Sequence, residues 1–188
     1  MEKIVVTGGG TGGHLKVADA FIEELYKRSY GVVYIGSTYG QDKAWFQKDR
    51  RIQKTIFLDS VGVVNKDFKG KIKALITIIR KAYYCNDLFE NAKIKKVISV
   101  GGYSAAPASF GAFLTKGCNL YIHEQNSKMG KLNQLCSLFA KEIFSSYDKR
   151  SRIKDYPVDN KFFNEARVRT QLKTVIFLGG SQGAKAIN

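Results

Sequence analysis

The stretch I-V-V-T-G-G-G-T-G-G-H, Ile4 to His14, runs a β-branched segment directly into five glycines and closes on a histidine, with a helical pattern following at 15–28. Strand, glycine turn and helix in that order open a βαβ unit, and glycine lets the backbone turn sharply and approach a ligand closely. The rest of the chain repeats the alternation. Short β-branched runs stand at 32–35, 55–58, 96–100, 120–123, 142–144 and 174–178, with helical segments near 41–49, 69–92, 105–115 and 130–140. This predicts an α/β fold, a doubly wound parallel sheet with helices on both faces.

Two more strand ends run into glycine turns, S-V-G-G-Y-S-A-A-P at 99–107 and F-L-G-G-S-Q-G-A-K at 177–185. Open parallel sheets bind ligands at the carboxyl ends of their strands, so three such turns mark that edge as the binding edge. Between the second and third turns lies the polar stretch D-K-R-S-R-I-K-D-Y-P-V-D-N-K at 148–161, which reads as a linker. The expected organisation is a first domain over 1–159, followed at 160–188 by the linker's end and the opening βα unit of a second, truncated domain. No turnover is expected from residues 1–188 alone.

The first glycine turn satisfies the letters of the dinucleotide fingerprint, Gly8-x-Gly10-x-x-Gly13, between a strand and a helix. Its context does not follow. The fingerprint needs an acid near the end of the second strand to hold ribose hydroxyls, and Y-I-G-S-T-Y-G-Q carries none before Asp42. The Walker pattern also fails, since no Gly-Lys-Ser/Thr follows at its spacing. What remains is a set of free amides at Thr11, Gly12 and Gly13, at a helix N-terminus that suits a diphosphate or a sugar hydroxyl. His14 opens the helix, where the positive end of the dipole favours the neutral imidazole that a general base requires.

Two other clusters join it. Tyr103, in the second glycine turn, is placed to stack on or hydrogen-bond a ligand, or to belong to the core or rim. At 120–126 the run L-Y-I-H-E-Q-N puts His123, Glu124, Gln125 and Asn126 where a simple turn would prefer glycine or proline. Four polar side chains at a strand's carboxyl end read as a site. His14 and His123 are the only histidines, and no cysteine joins them at metal spacing, so neither a metal nor a cofactor is expected.

The chain has 188 residues, 44% of them apolar, with 31 Lys and Arg against 16 Asp and Glu and a net charge of +15. That length buries a real core, and that charge points to an anionic partner: nucleic acid, phospholipid or a phosphorylated substrate. Three scattered cysteines, Cys85, Cys118 and Cys136, fit a reducing compartment better than a disulfide framework. The N-terminus enters a strand without the charged and apolar regions of a secretory signal, and no apolar run approaches the ~20 residues that span a bilayer. Membrane contact would therefore be peripheral. One segment offers it: at 69–84, Ile72, Leu75, Ile76, Ile79 and Tyr83 recur at helical spacing, with Ala74 and Ile78 widening the stripe and basic residues flanking it. A core helix explains such a stripe, and so does a helix lying on anionic lipid.

Taken in series, G-G-G-T-G-G-H at 8–14, G-G-Y-S-A-A-P at 101–107, H-E-Q-N at 123–126 and G-G-S-Q-G-A-K-A-I-N at 179–188 resemble the MurG family of bacterial N-acetylglucosaminyltransferases. The resemblance covers essentially the whole chain. It implies a GT-B architecture of two Rossmann-like domains, with UDP-N-acetylglucosamine held largely by the second and lipid I, the undecaprenyl-linked acceptor, largely by the first. It further implies an inverting transfer that yields lipid II at the cytoplasmic face of the bacterial inner membrane, against its anionic surface. Carried over residue by residue, Thr11, Gly12, Gly13 and Asn126 face the donor sugar or the acceptor diphosphate, and Ser181 belongs to the donor diphosphate site. His14 is the first candidate for the base and Glu124 the second. Two departures stand out: Val17 occupies a place where the family usually has proline, and Tyr156-Pro157-Val158-Asp159 replaces its usual Asn-Pro-Val-Arg.

Two other classes are kept against this reading. A UDP-sugar epimerase of similar double-Rossmann shape also wants glycine turns and histidines, but not a basic lipid-facing surface. A nucleic-acid-binding domain explains the charge, yet the basic residues show no aromatic-interleaved recognition motif, so no nucleic-acid partner is expected.

Overall fold

Alternate side chains of the central strands divide between two cores. Ile4 and Val6 of β1 (Lys3–Thr7), with Val32 and Tyr34 of β2 (Gly31–Ser37), pack on Leu15, Ala18 and Ile22 of α1 (Gly12–Lys27). Val5, Val33 and Ile35 turn to the other face, against Cys85 and Phe89 of α3 (Phe68–Ala92) and Ala108 and Ala112 of α4 (Ala106–Leu114). A strand covered on both sides reads as a continuous apolar run, and β2 is buried along its whole length. The computed structural model describes residues 1–60, 62, 67–168, 170–171 and 173–176.

With β3 (Ile52–Leu58), β4 (Lys96–Ser99), β5 (Asn119–His123) and β6 (Glu142–Phe144), the strands form one six-stranded, all-parallel sheet in the order β3-β2-β1-β4-β5-β6. The winding reverses between β1 and β4. That is the switch point at which open α/β sheets hold their ligands. It is also where the first two glycine turns meet, Gly9 N donating to Gly101 O at 3.2 Å.

The elements expected up to residue 144 are present, with shifted ends. The helix near 41–49 is shorter, α2 (Asp42–Phe46), and that near 130–140 contracts to α5 (Lys131–Cys136). A 3-10 turn at Tyr103–Ala105 precedes α4. The run expected as a strand at 174–178 carries no strand over 174–176, and 177–178 lie outside the described residues. The chain divides into two units, Met1–Tyr156 and Pro157–Asn188. The sheet belongs to the first. In the second, a short helix, α6 (Asn160–Asn164), is capped by Asp159, whose carboxylate accepts from Lys161 N at 3.0 Å.

The long helix α3 carries two stripes where the sequence reading had one. Ala74, Ile78, Ala82, Cys85 and Phe89 recur at core spacing and are buried, while Phe68, Ile72, Leu75, Ile76, Ile79 and Tyr83 are exposed. Ala74 and Ile78 therefore belong to the core and do not widen the outer stripe. Among the described residues, no helix is long and apolar enough to cross a membrane.

Candidate active site

The β1–α1 turn divides its amides between the protein and the solvent side. Gly9 N is taken by Gly101 O, and Gly10 N donates to Asp42 Oδ2 at 2.7 Å. Gly10 has φ +82°, and a Cβ there would stand 2.7 Å from the Tyr103 ring, so both the backbone and the space require glycine. The next residues open α1. Thr11, its N-cap, makes no side-chain bond to a backbone amide; its Oγ1 instead lies 2.9 Å from His14 Nδ1. An N-cap threonine ordinarily covers one of the orphan amides of the first turn. Here they stay uncovered, and the amides of Thr11, Gly12 and Gly13 have no protein acceptor among the described residues.

His14 lies in the first turn of this helix, half-buried. Burial pushes its pKa below the ordinary imidazole value, while the negative charges of Glu124 and Asp42 pull it back up. The neutral form expected from the sequence is thus favoured, but burial supplies the reason where the sequence reading relied on the helix dipole.

Glu124 has a different setting from that of a free base. It is 3% exposed, and its two oxygens accept four N–H groups: Asn126 N and Asn126 Nδ2 at 2.9 Å each, Gly130 N at 3.0 Å and Asn133 Nδ2 at 2.9 Å. A carboxylate so occupied shapes its loop. Tyr103 likewise ties loops together, its hydroxyl donating to Tyr39 O at 3.1 Å while its ring covers Gly10. His123 is 3% exposed, edge-on to Phe21 and Tyr156, and burial holds its pKa down. It is a core histidine. The three cysteines are free, and burial pushes the thiols of Cys85 and Cys136 up to about 12 and that of Cys118 to about 11, which keeps them protonated.

His14, Tyr103, Glu124 and Asn126 line one cleft of about 960 Å³. Its far wall is apolar, built from Leu75 and Ile78 of α3, Ala106 and Phe110 of α4, and Leu132 and Leu135 of α5, with Lys71 and Lys131 also lining it. Thr11, Gly12 and Gly13 stand beside His14 on the same turn. Ser181 and the third glycine turn lie outside the described residues. Sequence reasoning passed over Asn133, a 3% exposed side chain of this cleft whose Oδ1 has no hydrogen-bond partner among the described residues. An asparagine amid a short helix carries no signal of its own. Asp42 lies too late for a ribose-binding acid, and its place just after the glycine-bearing end of β2 is the sequence signal for its role in the loop.

A parallel, doubly wound sheet with glycine turns meeting at its switch point, a histidine at the first turn and an apolar cleft alongside defines the Rossmann-like domain of the GT-B class. The chain belongs to the glycosyltransferase family 28 N-terminal domain family, whose pattern it matches over residues 4–145. It is 49% identical over 185 residues to the UDP-N-acetylglucosamine--N-acetylmuramyl-(pentapeptide) pyrophosphoryl-undecaprenol N-acetylglucosamine transferase of Wolinella succinogenes, with 98% of this chain and 55% of that protein covered. A protein of the same name from Campylobacter fetus is 52% identical over 185 residues, covering 98% of this chain and 54% of its own length. The chain spans about half the length of the curated relatives it matches. Its fold is similar to that of Acinetobacter baumannii MurG, with a TM-score of 0.65 at 24% identity over 84% of this chain and 44% of that one. A UDP-N-acetylglucosamine 2-epimerase is less similar, with a TM-score of 0.52 at 12% identity over 77% of this chain and 42% of its own.

Proposed function

We propose that this chain forms the acceptor-binding half of an inverting N-acetylglucosaminyltransferase, which moves N-acetylglucosamine from UDP-N-acetylglucosamine to lipid I and yields lipid II. The observation that carries the reading is the cleft: a half-buried histidine lines it together with apolar side chains of α3, α4 and α5, and the uncovered amides of the same helix turn immediately precede that histidine. A polyprenyl diphosphate sugar has that polarity, with an apolar tail, a dianionic link and a sugar hydroxyl. The amides of Thr11, Gly12 and Gly13 receive the diphosphate or the sugar at a helix N-terminus, where anions are favoured. Asn126 and Tyr103 border the sugar.

In this reading the acceptor hydroxyl gives its proton to His14 as its oxygen attacks the anomeric carbon. The bond from that carbon to the diphosphate breaks, UDP leaves with the electron pair, and the anomeric centre inverts. Neutral imidazole is the form this step needs, and burial favours it. Glu124 acts through the loop it holds, not as the base. Residues 160–188 open the donor-binding half, with Ser181 at the donor diphosphate. The enzyme works peripherally at the cytoplasmic face of the inner membrane, the outer stripe of α3 and its flanking Lys69, Lys73 and Arg80 resting on anionic lipid at about 1 kcal/mol per basic residue.

The likeness to the epimerase is one of fold alone, at 12% identity. Incubating the full-length protein with labelled UDP-N-acetylglucosamine and lipid I separates the two activities. Label in the lipid fraction supports the transferase; a free epimeric sugar with no labelled lipid overturns it.

A further inference from the structure

Asp42 opens α2 with no exposed surface, and no cation pairs with it among the described residues. Its carboxylate accepts from two backbone amides, Gly10 N at 2.7 Å on Oδ2 and Ser37 N at 3.0 Å on Oδ1, and the Tyr34 hydroxyl lies 3.2 Å from Oδ1. Tyr34 is also fully buried, and its one hydroxyl proton goes to the nearer acceptor, Gly8 O at 2.9 Å, so Tyr34 holds Gly8 while Asp42 holds Gly10. Space for the carboxylate is reserved on two sides. A Cβ at Gly9 or at Gly36 would come within 2.7 Å of Asp42 Oδ1. Burying a charge is costly unless hydrogen bonds satisfy it, and here the shortest of them comes from the glycine turn itself.

The arrangement sorts the amides of one loop. Gly9 N and Gly10 N point into the protein, while those of Thr11, Gly12 and Gly13 are left without a protein acceptor. We infer that Asp42 is a positioning residue for the diphosphate cradle: by drawing the Gly10 amide inward it fixes the three amides that follow in their outward-facing set. The inference rests on the proposed reading of that loop as an anion cradle. It also accounts for an acid just past β2 that is too deeply engaged to meet a ribose.

Charge and geometry make opposite demands on the test. Asp42 is an anion near the cradle, so if only its charge mattered, neutralising it would tighten anion binding. If it positions the amides, neutralising it loosens binding, because an asparagine turns an N–H group toward donors at Gly10 or Ser37. The other charged groups lining the cleft, Lys71, Lys131 and Glu124, are unchanged across the comparison, and titrating at a pH well above the imidazole range keeps His14, whose protonation Asp42 supports, neutral in every variant. Titration calorimetry with inorganic pyrophosphate on the 188-residue chain, Asp42→Asn and Asp42→Glu, with melting followed in parallel, reads the difference. Folded Asp42→Asn should bind pyrophosphate about tenfold more weakly, the scale of one lost charge-assisted hydrogen bond. Asp42→Glu keeps the charge but displaces the oxygens and should also bind more weakly; it decides the matter alone if the asparagine variant does not fold. Wild-type or tighter affinity in a folded variant overturns the inference. Failure of the unaltered chain to bind pyrophosphate instead overturns the cradle reading on which it rests.

Discussion

Thr11 Oγ1 and His14 Nδ1 lie 2.9 Å apart within the first turn of α1. The contact sets the imidazole plane and engages one ring nitrogen, leaving Nε2 as the nitrogen for proton transfer. It also diverts the cap side chain from the helix amides. Thr11→Val in the full-length protein should therefore lower kcat about tenfold, the rate equivalent of one orienting hydrogen bond, while Thr11→Ser stays near wild type. Equal kcat for valine and serine would show that the contact does not orient the base.

Glu124 is read as a structural carboxylate, and its substitution should register in stability. Glu124→Gln places an amide N–H₂ among four N–H donors, leaving buried donors unpaired. Urea unfolding should show a loss of about 1–3 kcal/mol. Wild-type stability with abolished turnover would return Glu124 to the role of base.

The two stripes of α3 separate membrane contact from folding. Leu75, Ile76 and Ile79 are exposed whereas Ile78 is 6% exposed. Ile76→Glu with Ile79→Glu should weaken co-sedimentation with anionic vesicles and leave the melting temperature unchanged. Ile78→Ala should do the reverse, costing about 2–4 kcal/mol as a core truncation. Vesicle binding unaffected by the paired glutamates would remove α3 as the lipid-facing element.

Burial lowers the pKa of both histidines, so the unfolded chain binds more protons than the folded one near and below about 6.5. Their contribution to stability is complete above that pH and is lost as pH falls through it toward the lowered folded values. Denaturant midpoints measured from pH 7.5 to 5 should fall, and His123→Gln should flatten that decline. Parallel curves for the two proteins would contradict it. In turnover, the acid limb should lie below about 6.5 and move lower in Asp42→Asn, since Asp42's charge supports protonation of His14.

Much of this was legible in the chain. Glycine turns behind β-branched runs located the binding edge, because only glycine adopts Gly10's φ and leaves room for Tyr103. The alternation of strands and helices gave the doubly wound class. Periodicity could not divide α3's residues between its faces: Ile78 and Ile79 are chemically alike, and only the packing of α3 on the sheet and α4 makes one core and the other surface. Nor could it distinguish a poised carboxylate from a saturated one. Glu124's partners include Gly130 and Asn133, and the bend that brings them together is a property of the fold. The same holds for Asp42, whose closest donor, Gly10, is 32 residues away.

The central claim is that His14 removes the acceptor's proton in this cleft. Its most direct test is steady-state transfer of labelled N-acetylglucosamine to lipid I by the full-length protein carrying His14→Gln, with UDP-N-acetylglucosamine affinity measured alongside. The account predicts a kcat lower by about 10²-fold or more with donor affinity nearly unchanged, as loss of a general base requires. A kcat within about twofold of wild type, far inside the effect of a lost general base, would contradict it.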